Sequence, residues 1–181
     1  MQTPLLFSLL LFLLLAIDDG DASPKHDLVR QSCVHATYPA VCLRTLRPYR
    51  STAGTPWDLA RAAVNVSMAH VRKTTEFLTK AKGSGQRERG ALNDCVEEMA
   101  DAVDELSKTM SALQELRRGG DFWWEMSNAR TWMSAAITYE DTCLDGLEEI
   151  GGKVRSDVRK KVTNVGRVTS NALYLINLLH E

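Results

Sequence analysis

Four cysteines, Cys33, Cys42, Cys95 and Cys143, are the residues most able to do covalent chemistry, and their spacing limits which kind. A structural metal centre takes ligand pairs a few positions apart, such as two cysteines separated by two residues. No such pair occurs, and His26, His35, His70 and His180 are scattered along the chain. No nucleophile elbow, phosphate loop, zinc signature or Cys/His pairing is present either. Gly83-Ser84-Gly85 follows no strand pattern and reads as a linker. No catalytic residue, metal site or cofactor is therefore expected. What remains for the cysteines is oxidation, and an even number of them behind a secretory leader reads as a disulfide framework.

The leader is the apolar run from Leu5 to Ile17, broken only by Ser8 and flanked by no Lys or Arg before Lys25. The run is short for a bilayer span and fits the apolar core of a signal peptide. Gly20-Asp21-Ala22 supplies small residues at the −3 and −1 positions, so cleavage is expected after Ala22, giving residues 1–22 as signal and 23–181 as the mature domain. The leader takes three acids with it, so 20 acids face 22 bases and the mature chain is near +2. That charge is too small, and too little clustered with aromatics, to argue for nucleic acid. No membrane association is expected of the mature form.

Noncovalent chemistry centres on carboxylates. Glu97, Asp101 and Asp104 recur at i, i+4 and i+7, with Glu98 and Glu105 beside them. On a helix these are like-charged neighbours of one face, each pair unfavourable by roughly 0.2–0.5 kcal/mol. Lys108, four residues after Asp104, offers the only local counter-charge. The row is solvated, or paired across the fold with the basic segment Lys153, Arg155, Arg159, Lys160 and Lys161, or kept acidic for a partner. Asn65-Val66-Ser67 fits the N-glycosylation sequon and is usable if Asn65 faces solvent. Phe122-Trp123-Trp124 reads as core plus loop cover; stacking on a carbohydrate would need an exposed flat pair.

The elements that position these residues are helices. Apolar residues recur with 3-4-3-4 spacing in four segments. One seam runs Trp57, Ala60, Val64, Met68, Val71, Leu78 and Ala81, started by Thr55 as N-cap and Pro56 at the first helical position. A second runs Leu92, Cys95, Met99, Ala102, Leu106, Thr109, Leu113 and Leu116. A third, capped by Asp121, runs Phe122, Met126, Ala129, Met133, Ala136, Glu140, Cys143 and Leu147, and a fourth runs from Val154 to Leu179. Gly83-Ser84-Gly85, Gly119-Gly120 and Gly151-Gly152 separate them, and short glycine links favour antiparallel neighbours. The expected fold is all-α: an up-down-up-down four-helix bundle over residues 55–181, helices about 25 residues long, preceded by a proline-marked helical hairpin over 24–54. Four cysteines allow three pairings. Placement on these elements favours Cys33–Cys42 within the hairpin and Cys95–Cys143 between neighbouring helices. The second bridge closes a loop of about 47 residues, worth about 4 kcal/mol in the chain-entropy model.

The wording around the cysteines resembles the plant invertase/pectin methylesterase inhibitor family. Ser32-Cys33, Thr37-Tyr38-Pro39, Cys42 and Leu46 resemble its opening block. Ala91 to Glu97, followed by Asp101 to Leu106, resembles the second; Thr131 to Thr138, followed by Asp141 to Gly146, resembles the third. Ser170-Asn171-Ala172-Leu173 with Leu175-Ile176-Asn177 resembles the last helix. The resemblance implies the same bundle, hairpin and two disulfides. It also implies a secreted protein of the apoplast or cell wall that is not an enzyme but inhibits one. Pectin methylesterase would be bound in a stoichiometric complex whose pectin-binding cleft is covered by the second, third and fourth bundle helices. Carried over by position, the second-helix contacts fall on Glu97, Asp101 and Asp104, and the third-helix contacts on Thr138, Thr142 and Asp145. Acid invertase is the alternative target, and a non-inhibitory cell-wall binding module is a second alternative. The Ser170 to Leu173 wording is closer to the pectin methylesterase branch. In some pectin methylesterases the same fold precedes a catalytic domain; none follows Glu181, so a free-standing inhibitor is expected.

Overall fold

The computed structural model describes residues 27–117, 121–148 and 150–180, and within them the chain is helical. The expected leader, residues 1–22, and the first residues of the expected hairpin lie outside the described residues. The elements are α1 (Leu28–Cys33), α2 (Pro39–Leu46), a 3-10 turn (Arg47–Tyr49), α3 (Pro56–Lys80), α4 (Gln86–Arg117), α5 (Phe122–Gly146) and α6 (Gly152–Asn177). The four long helices run alternately up and down. α4 packs between α3 and α5, α6 closes the square against α3 and α5, and α4 and α6 lie on the diagonal. The bundle and its connectivity are those expected from the seams.

The seams are buried as their periodicity requires. Cys95, Met99, Ala102, Leu106, Thr109 and Leu113 of α4 are sealed from water, as are Met126, Ala129, Met133, Ala136 and Cys143 of α5 and Val158, Val162 and Val165 of α6. Trp57, Met68, Ala81, Phe122, Leu116 and Val154, at seam ends or edges, are half-buried against this core.

Caps set the helix starts. Thr55 accepts from the Asp58 backbone N–H at 3.1 Å and donates its hydroxyl to the Asp58 carboxylate at 2.8 Å. Asp121 accepts from the Trp124 N–H at 2.8 Å. α4 runs 32 residues, longer than its seam, because a polar turn from Gln86 extends it backward. Glu88 fastens that turn by accepting from the Ser84 N–H and hydroxyl, both at 2.6 Å. The link before it tolerates only glycine at Gly83, where a Cβ would stand 2.7 Å from the Arg89 nitrogen. Gly152 opens α6 at φ +83°, a left-handed conformation that glycine adopts freely.

Both disulfides have the sequential pairing. Cys33–Cys42 joins α1 to α2 with Cα atoms 5.5 Å apart, and Cys95–Cys143 joins α4 to α5 at 4.5 Å. The hairpin shares the bundle's apolar core through Val29, Cys33, Cys42 and Leu46, and Arg44 of α2 donates to Asn164 of α6 at 3.5 Å. Asn171 of α6, buried, accepts from the Tyr38 N–H at 2.8 Å and donates to the Tyr38 carbonyl at 3.0 Å. Tyr38 is the N-cap residue of α2; its carbonyl also accepts from the Cys42 N–H at 3.0 Å, and Asn171 takes up the Tyr38 N–H that its own helix cannot.

Candidate functional site

Around α4, the seam residues occupy one side and the acidic row the other. Glu97, Asp101 and Asp104 are all exposed, as a 3.6-residue turn requires of positions two or five residues from Cys95, Met99 and Ala102. Glu97 borders a groove shared with Leu78 and Thr79 of α3, and Asp104 a second groove with Arg72 and Glu76. Asp101 is turned the other way, toward α5.

The bridge fixes how α5 lies beside this row. With Cys95 level with Cys143, antiparallel helices place residue 95+n opposite residue 143−n. The contact of the Thr109 hydroxyl with the Ala129 carbonyl at 3.5 Å, fourteen residues along from each cysteine, keeps that register. Asp101 is therefore level with Ile137, one residue from Thr138, and Glu97 with Asp141, one residue from Thr142. Thr138, Thr142 and Asp145 are exposed on the outward side of α5. The fold thus sets Asp101, Thr138 and Thr142 along one α4–α5 flank. Asp145, seven residues after Thr138 and so on the same outward side, lies beyond the level of the bridge, while Glu97 and Asp104 edge toward α3.

The two rows differ in chemistry. None of Glu97, Asp101 and Asp104 forms an ion pair among the described residues. Lys108, four residues after Asp104, instead grips Glu105 at 2.7 Å, one turn back at i−3. Among the described residues the row makes no pair with the basic fourth helix, because α4 and α6 are diagonal. There Arg159 meets Glu148 at 3.8 Å and Lys161 stands 4.5 Å over the Phe77 ring. Like charge in the row is felt by Glu98, whose carboxyl is pushed up by partial burial and then by Asp101, Asp94 and Glu97. On α5 the hydroxyls turn inward onto their own helix. Thr138 donates to the Ser134 carbonyl at 3.1 Å and Thr142 to the Thr138 carbonyl at 2.9 Å.

Asn65 is exposed on α3, at the rim of a shallow depression lined by Tyr49, Thr52, Asp58 and Arg61. Ser67 of the same sequon is buried and donates to the Ala63 carbonyl at 3.0 Å. The aromatic cluster departs from its expected role as core plus loop cover. Phe122 does pack edge-on against Trp57, with centroids 6.4 Å apart, but Trp123 is 72% exposed and Trp124 66%. Both project into solvent from the first turn of α5, Trp124 on the side opposite Met126, so neither covers the core.

Sequence reasoning missed one buried ionisable group. Glu140, in the apolar seam of α5, is 0% exposed. Its Oε1 accepts from the Thr169 hydroxyl of α6 at 2.7 Å, and its Oε2 has no hydrogen-bond partner. Burial, opposed by the Thr169 bond and helped by Asp141, pushes its carboxyl up to about 8. A charged residue inside an apolar seam was the available signal, but its partner lies 29 residues away. Among the described residues no three His, Cys, Asp or Glu side chains cluster to hold a metal, and no helix is long and apolar enough to cross a membrane.

Residues 27–175 match the family model described as plant invertase/pectin methylesterase inhibitor. The chain is 45% identical over 171 residues to pectinesterase inhibitor 3 of Arabidopsis thaliana, covering 90% of this chain and 83% of that one. It is 40% identical to a 21 kDa protein of Daucus carota, covering 97% and 94%. The fold matches the crystal structure of a mutant form of a pectin methylesterase inhibitor from Arabidopsis, with TM-score 0.67, 22% identity and coverage of 82% and 95%.

Proposed function

Because this chain belongs to the plant invertase/pectin methylesterase inhibitor family, we propose that it is a secreted inhibitor of pectin methylesterase, working in the cell-wall space. It acts by occlusion: the α4–α5 flank lies over the enzyme's pectin-binding cleft in a stoichiometric complex, and no bond is made or broken. Relatives at 36–45% identity are named pectinesterase inhibitors, which favours this target over acid invertase.

The observation that carries the reading is the acidic row of α4, which keeps Glu97, Asp101 and Asp104 exposed and without ion pairs while Lys108 is engaged by Glu105. A cleft that takes up a polyanion favours negative charge at its surface, and an acidic row steers toward such a cleft. Lysines or arginines of the enzyme would relieve the like-charge strain along the row. The Cys95–Cys143 bridge holds both rows in one register before the enzyme arrives, which lowers the ordering cost of binding. We further propose that Asn65 carries an N-linked glycan; with Ser67 buried in the folded helix, transfer would precede folding of α3.

The test mixes the purified mature protein with a plant pectin methylesterase and, separately, with acid invertase at mildly acidic pH. The expected result is loss of methylesterase activity alone. Loss of invertase activity alone would move the target, and loss of neither, with direct pectin binding and no enzyme complex on size exclusion, would favour a cell-wall module.

A further inference from the structure

The outward face of α5 continues well beyond Thr138. Trp124, Ser127, Thr131, Ser134, Thr138 and Thr142 follow one another at spacings of three or four, and every one is exposed. Solvent-facing helix surfaces ordinarily carry Lys and Glu; from Trp124 to Thr142 this stripe carries no charge, and Asp145 closes it. Four of its five hydroxyls, those of Thr131, Ser134, Thr138 and Thr142, are also already satisfied. Thr131 donates to the Ser127 carbonyl at 2.8 Å and Ser134 to the Arg130 carbonyl at 2.8 Å, in the pattern that Thr138 and Thr142 continue. Donors bonded in this way lose little when water is removed, because they keep their acceptors. Charge depletion together with an exposed tryptophan is the composition of the buried centre of a protein interface.

We infer that Trp124 is an anchor residue for the partner enzyme, extending the α4–α5 contact to the end of the bundle far from the Cys95–Cys143 bridge. The inference rests on the inhibitor reading above. From Trp124 to Thr142 the stripe spans about 27 Å at about 1.5 Å per residue, close to the width of a patch of roughly 800 Å² on one partner. The backbone that carries the anchor is fixed beforehand. The Trp124 N–H donates to Asp121, and the neighbouring Phe122 is wedged edge-on between Trp57 and Trp123, with centroids 6.4 and 5.5 Å away.

Charge selects the occupant. A pectin chain with free carboxylates needs donors and cations, and the stripe offers bonded hydroxyls beside the acidic Glu97, Asp101 and Asp104. A second copy of this chain packed α5 to α5 would bring two acidic rows together. An enzyme surface with an apolar pocket beside basic residues suits both the tryptophan and the row.

Trp124→Ala, Trp124→Phe and Asp101→Lys are compared with the wild type for binding to a plant pectin methylesterase, each checked by thermal melting. Trp124→Ala should weaken binding at least tenfold, mostly through faster dissociation, with the melting temperature unchanged. Trp124→Phe should recover most of the loss, since an aromatic anchor survives. Wild-type affinity in Trp124→Ala, with Asp101→Lys impaired, would overturn the anchor and leave the inhibitor reading standing. A wild-type dimer dissolved by Trp124→Ala, or a loss confined to pectin binding, would overturn it in favour of those occupants. No enzyme complex from the wild type would overturn both.

Discussion

The molecule keeps carboxyls in two settings, one inside α5 and one along the outside of α4, and it handles their charge in opposite ways. Glu140 is sealed between α5 and α6, with one hydroxyl partner and one oxygen bonded to nothing. Its charge is removed by titration, since burial lifts the carboxyl to about 8 and the residue sits neutral in the core. Glu97, Asp101 and Asp104 are solvated instead, and repulsion between like charges is small at high dielectric. Only the second arrangement leaves charge available to a partner. The first makes the scaffold sensitive to pH without contributing to recognition.

The largest expected effect belongs to the buried member. Glu140 titrates near 4.5 when unfolded and about 8 when folded, so the native state holds the extra proton between those values. Stability is then fullest below about pH 4.5 and declines as pH rises toward about 8, by a ceiling of about 5 kcal/mol from one raised pKa. His70 opposes this only below its ordinary 6.5, because burial, then Lys73 and Arg44, lower its pKa. Glu140→Gln keeps an acceptor for Thr169 and removes the titration. Chemical denaturation across pH 5 to 8 should show a slope in the wild type and a flatter line in the variant. An equal slope in both would place the proton elsewhere.

Next in size is Asp101→Lys. If the row meets the enzyme, inhibition should weaken by about 2 kcal/mol or more, since an opposed charge is lost and a like one introduced. Folding stability should change by less than about 0.5 kcal/mol, as for an exposed position. Added salt should weaken the wild-type complex by screening this row, while the deficit of Trp124→Ala should persist at high salt. Smallest is Glu98→Gln. Relieving its repulsion from Asp101, Asp94 and Glu97 should stabilise the fold by roughly 0.2–0.5 kcal/mol, readable as a small rise in denaturation midpoint.

Local and periodic features of this chain were readable from sequence. The 3-4-3-4 seams fall on the buried residues of α3 to α6, Thr55 and Asp121 cap where their neighbours imply, and the cysteines pair as helix placement suggests. Contacts between distant segments were not. Asn171 reaches Tyr38 across 133 residues, and nothing near either residue marks the other. Lys108 chose Glu105 at i−3 over Asp104 at i−4, a choice between equivalent neighbours that side-chain rotamers decide. Bulky aromatics usually bury, which favours a covering role for Trp123 and Trp124, yet both stand in solvent at the first turn of α5, where the bundle ends. The acidic row was legible as a pattern, but its lack of ion pairs required knowing that α6 lies on the diagonal.

The most direct measurement titrates the mature protein into a plant pectin methylesterase at mildly acidic pH, following complex formation and residual activity. A variant with Glu97, Asp101 and Asp104 all changed to lysine runs in parallel. The account predicts a one-to-one complex without activity for the wild type and loss of that complex for the variant, whose melting temperature stays near the wild-type value. Full inhibition by the charge-reversed protein would contradict it.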